Sequence, residues 1–461
     1  MTQNARDLRL DLGASLSPPL GAEHGLTREE ILGALPRLAR VVPALLGAER
    51  PSGFLAALAR PHLQREIARA ARRLRAARFG DLVHVGIGGS ALGAETLLRA
   101  LAHPFHNQLP DRIRPGPRVH IVDNVDPDTL GSLIELLARR KTLLHVVSKS
   151  GGTVETAAGF QVLRAALANA RNLRERCVVT TGKGALRELA ESERIPILEF
   201  PDDVGGRFSA FTAGALLTPA LAGVDVAAVV RGARRLAARV ASAPLAENPA
   251  ALAAVVAHAL AERKGKPIQV VMPYADALEP FARWSVQLLG ESLGKRERTA
   301  GRNVGPTPLP ARGATDQHSQ VQLFVEGPPD KLVVFVRVAK TRRRVAIPGG
   351  APAAYLRGVE LGRLLRAELD GTRVALAEAG RPSLTWELPH RSGETLGQLL
   401  LALMLQTAYQ GELLGVDAYD QPGVEAGKLA AFALIGRAGY EQRRAALEAQ
   451  PLPTWRVGDR H

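Results

Sequence analysis

Only one cysteine, Cys177, occurs among the 461 residues. No disulfide can form within the chain, and a zinc–thiolate cluster has no second sulfur to use. A reducing compartment suits such a chain. Aromatic residues make up only 4%, which leaves the basic surface without the stacking platforms that nucleic-acid binders set between their arginines. Nowhere do about eighteen apolar residues run unbroken, as a membrane span requires. Residues 1–20 mix Asn4, Arg6, Asp7, Arg9 and Asp11 with apolar residues and lack the basic-then-apolar pattern of a secretory leader. The expectation is a soluble cytoplasmic protein with no membrane partner and no nucleic-acid partner.

What is present supports a globular fold. The chain is 46% hydrophobic and 23% charged, with 45 glycines and 31 prolines dispersed along it. Length alone gives a prior of about three domain-sized units. Lys+Arg 60 against Asp+Glu 45 leaves a net charge of +15, compatible with nucleic acid, with an anionic small substrate, or with an arginine-rich composition alone. The arginines are spread along helical stretches such as 65–78, which favours the last reading. Lysine is scarce by contrast, so a lysine inside a glycine-rich motif draws interest.

From about residue 60 to 200, helical and strand patterns alternate as in parallel-sheet crossover units. The predicted strands are 81–86, 118–123, 142–148, 176–181 and 194–200. The segments 92–102, 128–140 and 154–170 carry apolar residues at three- and four-residue steps, as half-buried helices do. A second, more ragged alternation follows: helix 248–263, strand 267–274, helix 279–296, strand 331–338 and helix 396–414, with a last helix over 440–449. Between Thr299 and Ser319, a stretch holding Pro306, Pro308 and Pro310 reads as a long loop. No motif marks residues 341–381.

Two glycine- and hydroxyl-rich segments each follow a predicted strand and precede a helix: Gly86-Ile87-Gly88-Gly89-Ser90 and Ser148-Lys149-Ser150-Gly151-Gly152-Thr153. Unpaired amides at helix starts bind phosphate well. Each segment alone could be a tight turn or an N-cap. Gly86-x-Gly88-x-x-Ala91 approaches a dinucleotide fingerprint, but Asp123 lies too far on for its acidic partner. Together, at the carboxyl ends of strands in one sheet, the two segments favour a phosphorylated small molecule. Four further segments join glycine to titratable groups: 205–209 with Arg207, 287–292 with Gln287 and Glu291, 316–319 with His318, and 420–428 with Gln421 and Lys428.

With these phrases assembled, the chain resembles the glucose-6-phosphate isomerase family, also called phosphoglucose isomerase, in its shorter bacterial form. The resemblance rests on Gly-Ile-Gly-Gly-Ser at 86–90, Gly-Gly-Arg-Phe-Ser at 205–209 and Asp-Gln-Pro-Gly-Val-Glu-Ala-Gly-Lys at 420–428. It implies an α/β fold of two SIS-type doubly wound parallel-sheet domains (α/β/α sandwiches) with helical N- and C-terminal extensions. The expected division is 1–50, an N-terminal helical extension; 51–205, the first, phosphate-binding domain; 206–435, the second, catalytic domain; and 436–461, a C-terminal helix and tail.

By the same resemblance, Gly89, Ser90, Ser148, Lys149, Ser150, Gly151, Gly152 and Thr153 form the phosphate cradle. Glu291 is the base, Arg207 stabilises the enediolate, His318 and Lys428 open the ring, and Gln287 and Gln421 contact the substrate. Many relatives carry a hydroxyl residue where this chain has Gly152, which implies weaker binding. The resemblance further implies a hexose 6-phosphate as substrate, no cofactor and no metal, and a homodimer whose active sites share His318 between subunits.

The chemistry accounts for these residue types. Interconverting an aldose and a ketose requires removal of a proton beside a carbonyl, which one carboxylate can take and return. The developing oxyanion needs fixed positive charge sheltered from water, and a guanidinium keeps its charge at any working pH. A histidine suits the proton exchange of ring opening near neutrality. The alternative is a regulator that binds sugar phosphate through the glycine turns without catalysis, which would have no use for Glu291, His318 and Lys428 together. Turnover of mannose 6-phosphate or an amino-sugar phosphate depends on the shape around C2, which sequence does not specify.

Overall fold

A computed structural model describes residues 6–46, 53–166, 173–349 and 353–451. In chain order its strands are β1 (Arg9–Asp11), β2 (Asp81–Val85), β3 (Arg118–Val122), β4 (Thr142–Ser148), β5 (Cys177–Thr181), β6 (Ile197–Glu199), β7 (Ile268–Pro273), β8 (Lys295–Arg296), β9 (Asn303–Val304), β10 (Thr307–Pro310), β11 (Lys331–Lys340) and β12 (Ser383–His390).

The first sheet has the order β3-β2-β4-β5-β6, all parallel. Its inner strands β2, β4 and β5 are buried at every residue, which is why they read as nearly unbroken apolar runs rather than alternating ones. Helices Leu92–Leu101, Pro127–Leu137, Val154–Ala166 and Ala185–Ser192 make the crossovers. The far end of the predicted helix 154–170 lies outside the described residues.

The second sheet has the order β1-β12-β11-β7-β10. Four of its strands run parallel, while β1 joins antiparallel through Arg9↔Glu387 to Asp11↔Thr385. The segment read as a helical N-terminal extension therefore also supplies a strand. The stretch 299–319, read as a loop, contains β10, which pairs with β7 at Pro308↔Gln269 and Pro310↔Val271. Proline hides this strand from a propensity reading, and it is tolerated because β10 lies at the sheet edge. The unassigned stretch 341–381 contains the 18-residue helix Leu361–Glu378.

The long helix Gly393–Leu414 is buried along almost its whole length. It packs against helices Val226–Ser242, Pro249–Lys264 and Glu279–Leu293, and residues from all four join one large apolar cluster. Helix Glu279–Leu293 starts with Pro280 in its first turn and ends at Gly294, as the positional preferences of proline and glycine predict. Its anchoring face, Trp284, Ser285, Leu288, Leu289 and Ser292, is buried, leaving Gln287 and Glu291 at intermediate exposure. Residues Met1–Ala418 form one compact unit and Tyr419–His461 another, in which helices Glu425–Leu434 and Glu441–Ala449 pack together.

Candidate active site

The order of the first sheet sets the position of the candidate phosphate turns. From β2 the chain crosses to β3 on one side and then returns to β4 on the other. Loops leaving β2 and β4 therefore diverge and open a crevice at the carboxyl ends of these neighbours, where doubly wound sheets bind ligands. The segments 86–90 and 148–153 are those two loops.

The first turn is a short 3-10 segment, Gly88–Ser90, leading into helix Leu92–Leu101. Gly88 has φ +56°, and a Cβ there would lie 2.8 Å from Gln287 Nε2. At Gly89 a Cβ would fall 2.2 Å from the backbone carbonyl of Gly206. Two glycine turns, 86–90 and 205–209, thus meet backbone to backbone, and the Ser209 hydroxyl donates to the Gly89 carbonyl at 3.1 Å. Only glycine permits that approach.

The second turn is braced by the next strand. Thr181 Oγ1 donates to the Ser148 carbonyl at 2.6 Å, and the amides of Gly182 and Leu186 bond the carbonyls of Lys149 and Gly151, both at 3.1 Å. The Ser148 and Thr153 hydroxyls are 3.1 Å apart, and Ser150 Oγ accepts from the Gly152 amide at 3.3 Å. Partial burial pulls the Lys149 ammonium below the usual lysine range; Asp202 and Asp203 oppose the shift and Arg207 adds to it. The resulting cradle offers hydroxyls, amides and a cation to an anion.

Beside it stands a carboxylate held at both oxygens. Gln287 and Glu291 are four residues apart on one helix face, and Gln287 Nε2 donates to Glu291 Oε1 at 3.0 Å. Arg207 Nη1 lies 3.5 Å from Glu291 Oε2. The Arg207 side chain is 1% exposed and that of Glu291 30%, so the guanidinium is fixed in protein while the carboxylate remains reachable. Arg207 Nε donates to Ser292 Oγ at 2.6 Å and Nη2 to the Ala418 carbonyl at 2.6 Å. Chemically, this is a base beside a buried, permanent positive charge, next to an anion cradle.

Beneath the cradle lies a network that the sequence reading missed. His84 and His145 are register partners on β2 and β4, their rings nearly perpendicular with centroids 5.0 Å apart. His84 Nε2 is 2.7 Å from the Ser90 carbonyl, and both Nδ1 atoms lie 2.9 Å from Thr218 Oγ1. His145 Nε2 is 2.9 Å from Thr180 Oγ1. Burial pushes His84 down to about 4 and His145 well below the usual range, so both rings are neutral near pH 7.

A neutral ring bonded to a carbonyl through Nε2 carries its hydrogen there, so His84 Nδ1 accepts from Thr218. Thr218 has one hydrogen to give, hence His145 Nδ1 donates to its oxygen, and His145 Nε2 accepts from Thr180. Donation runs one way, from Thr180 through His145, Thr218 and His84 to the Ser90 carbonyl. The available signal was a histidine shortly before each glycine turn, in strands otherwise apolar.

The remaining predicted residues lie elsewhere. His318 is exposed, on the 3-10 turn Thr315–His318. Its neighbour Gln317 donates to Tyr274 Oη at 2.7 Å and to Thr372 Oγ1 at 2.6 Å. Among the described residues, no hydrogen bond or ion pair joins His318 to Glu291 or Arg207. Gln421 and Lys428 belong to the unit Tyr419–His461. Gln421 precedes the 3-10 turn Pro422–Val424, and Lys428, exposed on helix Glu425–Leu434, pairs with Glu425 at 3.0 Å.

The family model for phosphoglucose isomerase matches residues 71–347. The chain is 46% identical over 431 residues to the glucose-6-phosphate isomerase of Rubrobacter xylanophilus, covering 91% of this chain and 97% of the relative. It is 42% identical over 389 residues to that of Carboxydothermus hydrogenoformans, covering 82% and 83% respectively. Among solved structures, a hypothetical protein of Thermus thermophilus aligns with a TM-score of 0.81 and 39% identity, over 93% of this chain and all of that one. A glucose-6-phosphate isomerase of Chlamydia trachomatis shares the fold, with a TM-score of 0.79 at 24% identity over 93% of this chain and 90% of that one.

Proposed function

This chain belongs to the phosphoglucose isomerase family, and from that premise we propose that it interconverts D-glucose 6-phosphate and D-fructose 6-phosphate. The reaction moves a proton between C2 and C1 of the open-chain sugar through a cis-enediolate. The observation that carries this reading is the Glu291 carboxylate, held by Gln287 at one oxygen and facing buried Arg207 at the other. A sensor of sugar phosphates needs only the cradle and has no use for a reachable base beside a fixed cation.

The backbone and hydroxyls of Gly89, Ser90, Ser148, Lys149, Ser150, Gly151, Gly152 and Thr153 bind the phosphate, with the cradle assigned to domain 51–205. Glu291, in domain 206–435, takes the proton from one carbon and returns it to the other. Gln287 fixes one oxygen of Glu291, while the other, beside Arg207, carries the proton in transit. Arg207 stabilises the enediolate oxygen, its geometry set by Ser292 and the Ala418 carbonyl, so little reorganisation accompanies charge development. Its charge is independent of pH, so it does not compete for the proton in transit.

Ring opening is assigned to His318 with Lys428, and a substrate contact to Gln421. The exposed position of His318 supports a homodimer in which the partner subunit's His318 completes each site. The lone cysteine, which burial pushes up to about 12 and which is therefore an inert thiol, fits a cytoplasmic setting.

The test is conversion of fructose 6-phosphate by the purified chain, with the glucose 6-phosphate formed read by a coupled dehydrogenase. Turnover is expected in the wild type. In Glu291→Gln, kcat should fall by about 10³-fold, within the range for loss of an acid–base group, while the sugar phosphate still binds. Binding without turnover in the wild type would instead identify a regulator.

A further inference from the structure

At the carboxyl ends of β7, β11 and β12, a cavity of about 280 Å³ is walled by Arg99, Arg337, Arg342, Arg366 and Arg391. It contains none of the residues of the candidate active site. Part of its lining is apolar, including Leu369, which is fully buried. Arg337 has acidic partners in Glu387 and Asp370. Among the described residues, the other four guanidiniums form no ion pair with a carboxylate.

Three of those four are held by backbone carbonyls instead. Arg342 donates from Nε to the Arg391 carbonyl at 3.1 Å and from Nη1 to that of Leu101 at 3.2 Å. Arg366 Nη2 donates to the Ala339 carbonyl at 3.0 Å, and Arg391 Nη1 to that of Ala100. The one acidic residue of the lining, Asp276, has a side chain 86% exposed, so it neutralises little of this charge.

Such a group of cations is held together against its own repulsion. Burial, reinforced by Arg342, lowers the Arg391 guanidinium to about 10, and burial lowers Arg342 as well. An anion placed among them would remove that cost, and guanidiniums grip phosphate and carboxylate oxygens in bidentate fashion. The ends of parallel strands are also where α/β sheets hold ligands, and the volume, just under the roughly 300 Å³ at which drug-sized ligand pockets begin, suits a small ligand.

We propose that this cavity is a second anion site, separate from the isomerase centre, that takes a small phosphate monoester. The phosphate would sit among Arg342, Arg366 and Arg391, and a compact apolar body would lie toward Leu369.

Phenyl phosphate is a suitable probe, titrated into the full chain by calorimetry at fixed ionic strength. The wild type should show a binding event that survives Thr153→Ala, a substitution in the catalytic cradle. Arg342→Ala and Arg366→Ala, both at exposed residues, should each weaken that event by about tenfold or more, the loss expected for a charge-assisted hydrogen bond. Turnover of fructose 6-phosphate should stay at the wild-type level in both. The proposal fails if all binding is lost with Thr153→Ala, if the arginine variants bind phenyl phosphate as the wild type does, or if equimolar chloride displaces the probe.

Discussion

His84 and His145, on neighbouring strands of the first sheet, share one hydroxyl: each ring Nδ1 lies 2.9 Å from Thr218 Oγ1. One ring gives that oxygen a hydrogen and the other receives one. The glycine turn 86–90, through the Ser90 carbonyl, therefore hangs from a polar chain whose every proton is placed.

Acid should break this chain. His84 is lowered from 6.5 to about 4 by burial, so above pH 6.5 neither folded nor unfolded protein holds the extra proton and the stabilisation is complete. Between pH 6.5 and 4 the unfolded chain takes up a proton that the folded chain refuses, and stability falls. For His84 alone the loss is about 3 kcal/mol, and His145 adds to it. Urea unfolding at pH 7.5 and 5 should show a smaller drop for His84→Gln than for the wild type; equal drops would remove His84 from the account.

The backbone contact at Gly89 should be intolerant of any side chain. A methyl group there would fall 2.2 Å from the Gly206 carbonyl and push the Arg207 turn away from Glu291. Gly89→Ala is expected to lower kcat by about 10²-fold, the cost of a displacement near 1 Å. Steady-state kinetics would measure it, and an unimpaired variant would mean that the two turns need not touch.

Arg207→Lys keeps the charge but loses the fork that bonds Ser292 and the Ala418 carbonyl. We expect kcat to fall about 10²-fold, as when one oxyanion donor is removed, with a smaller change in KM. A loss confined to KM would assign Arg207 to binding alone.

Gly152 marks an opening for improvement. The nearest heavy atom to a Cβ there is the Ser150 carbonyl oxygen at 4.0 Å, so a serine fits. Gly152→Ser should lower KM for fructose 6-phosphate about fivefold, one added hydrogen bond being worth roughly 1 kcal/mol. An unchanged KM would show that the phosphate does not reach this side of the turn.

His318→Ala should reduce turnover of the cyclic sugar phosphate far more than that of its open-chain form. Rapid-mixing measurements on both forms would test this, and equal losses would rule out a ring-opening role.

The first sheet was legible because each of its inner strands is a short apolar run between turn residues; Thr142–Ser148 is found at the predicted bounds. The second sheet was less so. Proline masks β10, and β1 has only three residues, too few to show a period. The glycine turns, Gln287, Glu291 and Arg207 were visible as residues. Their meeting was not, since Arg207 and Glu291 lie far apart along the chain and only the packing of a helix against a glycine turn unites them. Ser292 and Thr218 gave no signal, as a lone hydroxyl in a helix most often bonds its own backbone.

The prolines of β10 carry a consequence for self-association. Thr307 and Ala311 turn their amides toward the neighbouring strand, donating to the carbonyls of Pro267 and Val271. Positions 308 and 310, of opposite parity, point their backbone nitrogens outward, and both are proline. The rim at that end of the sheet therefore offers no hydrogen to an arriving strand. Strand addition at that rim meets acceptors but no donors, so fibril growth from this edge is disfavoured.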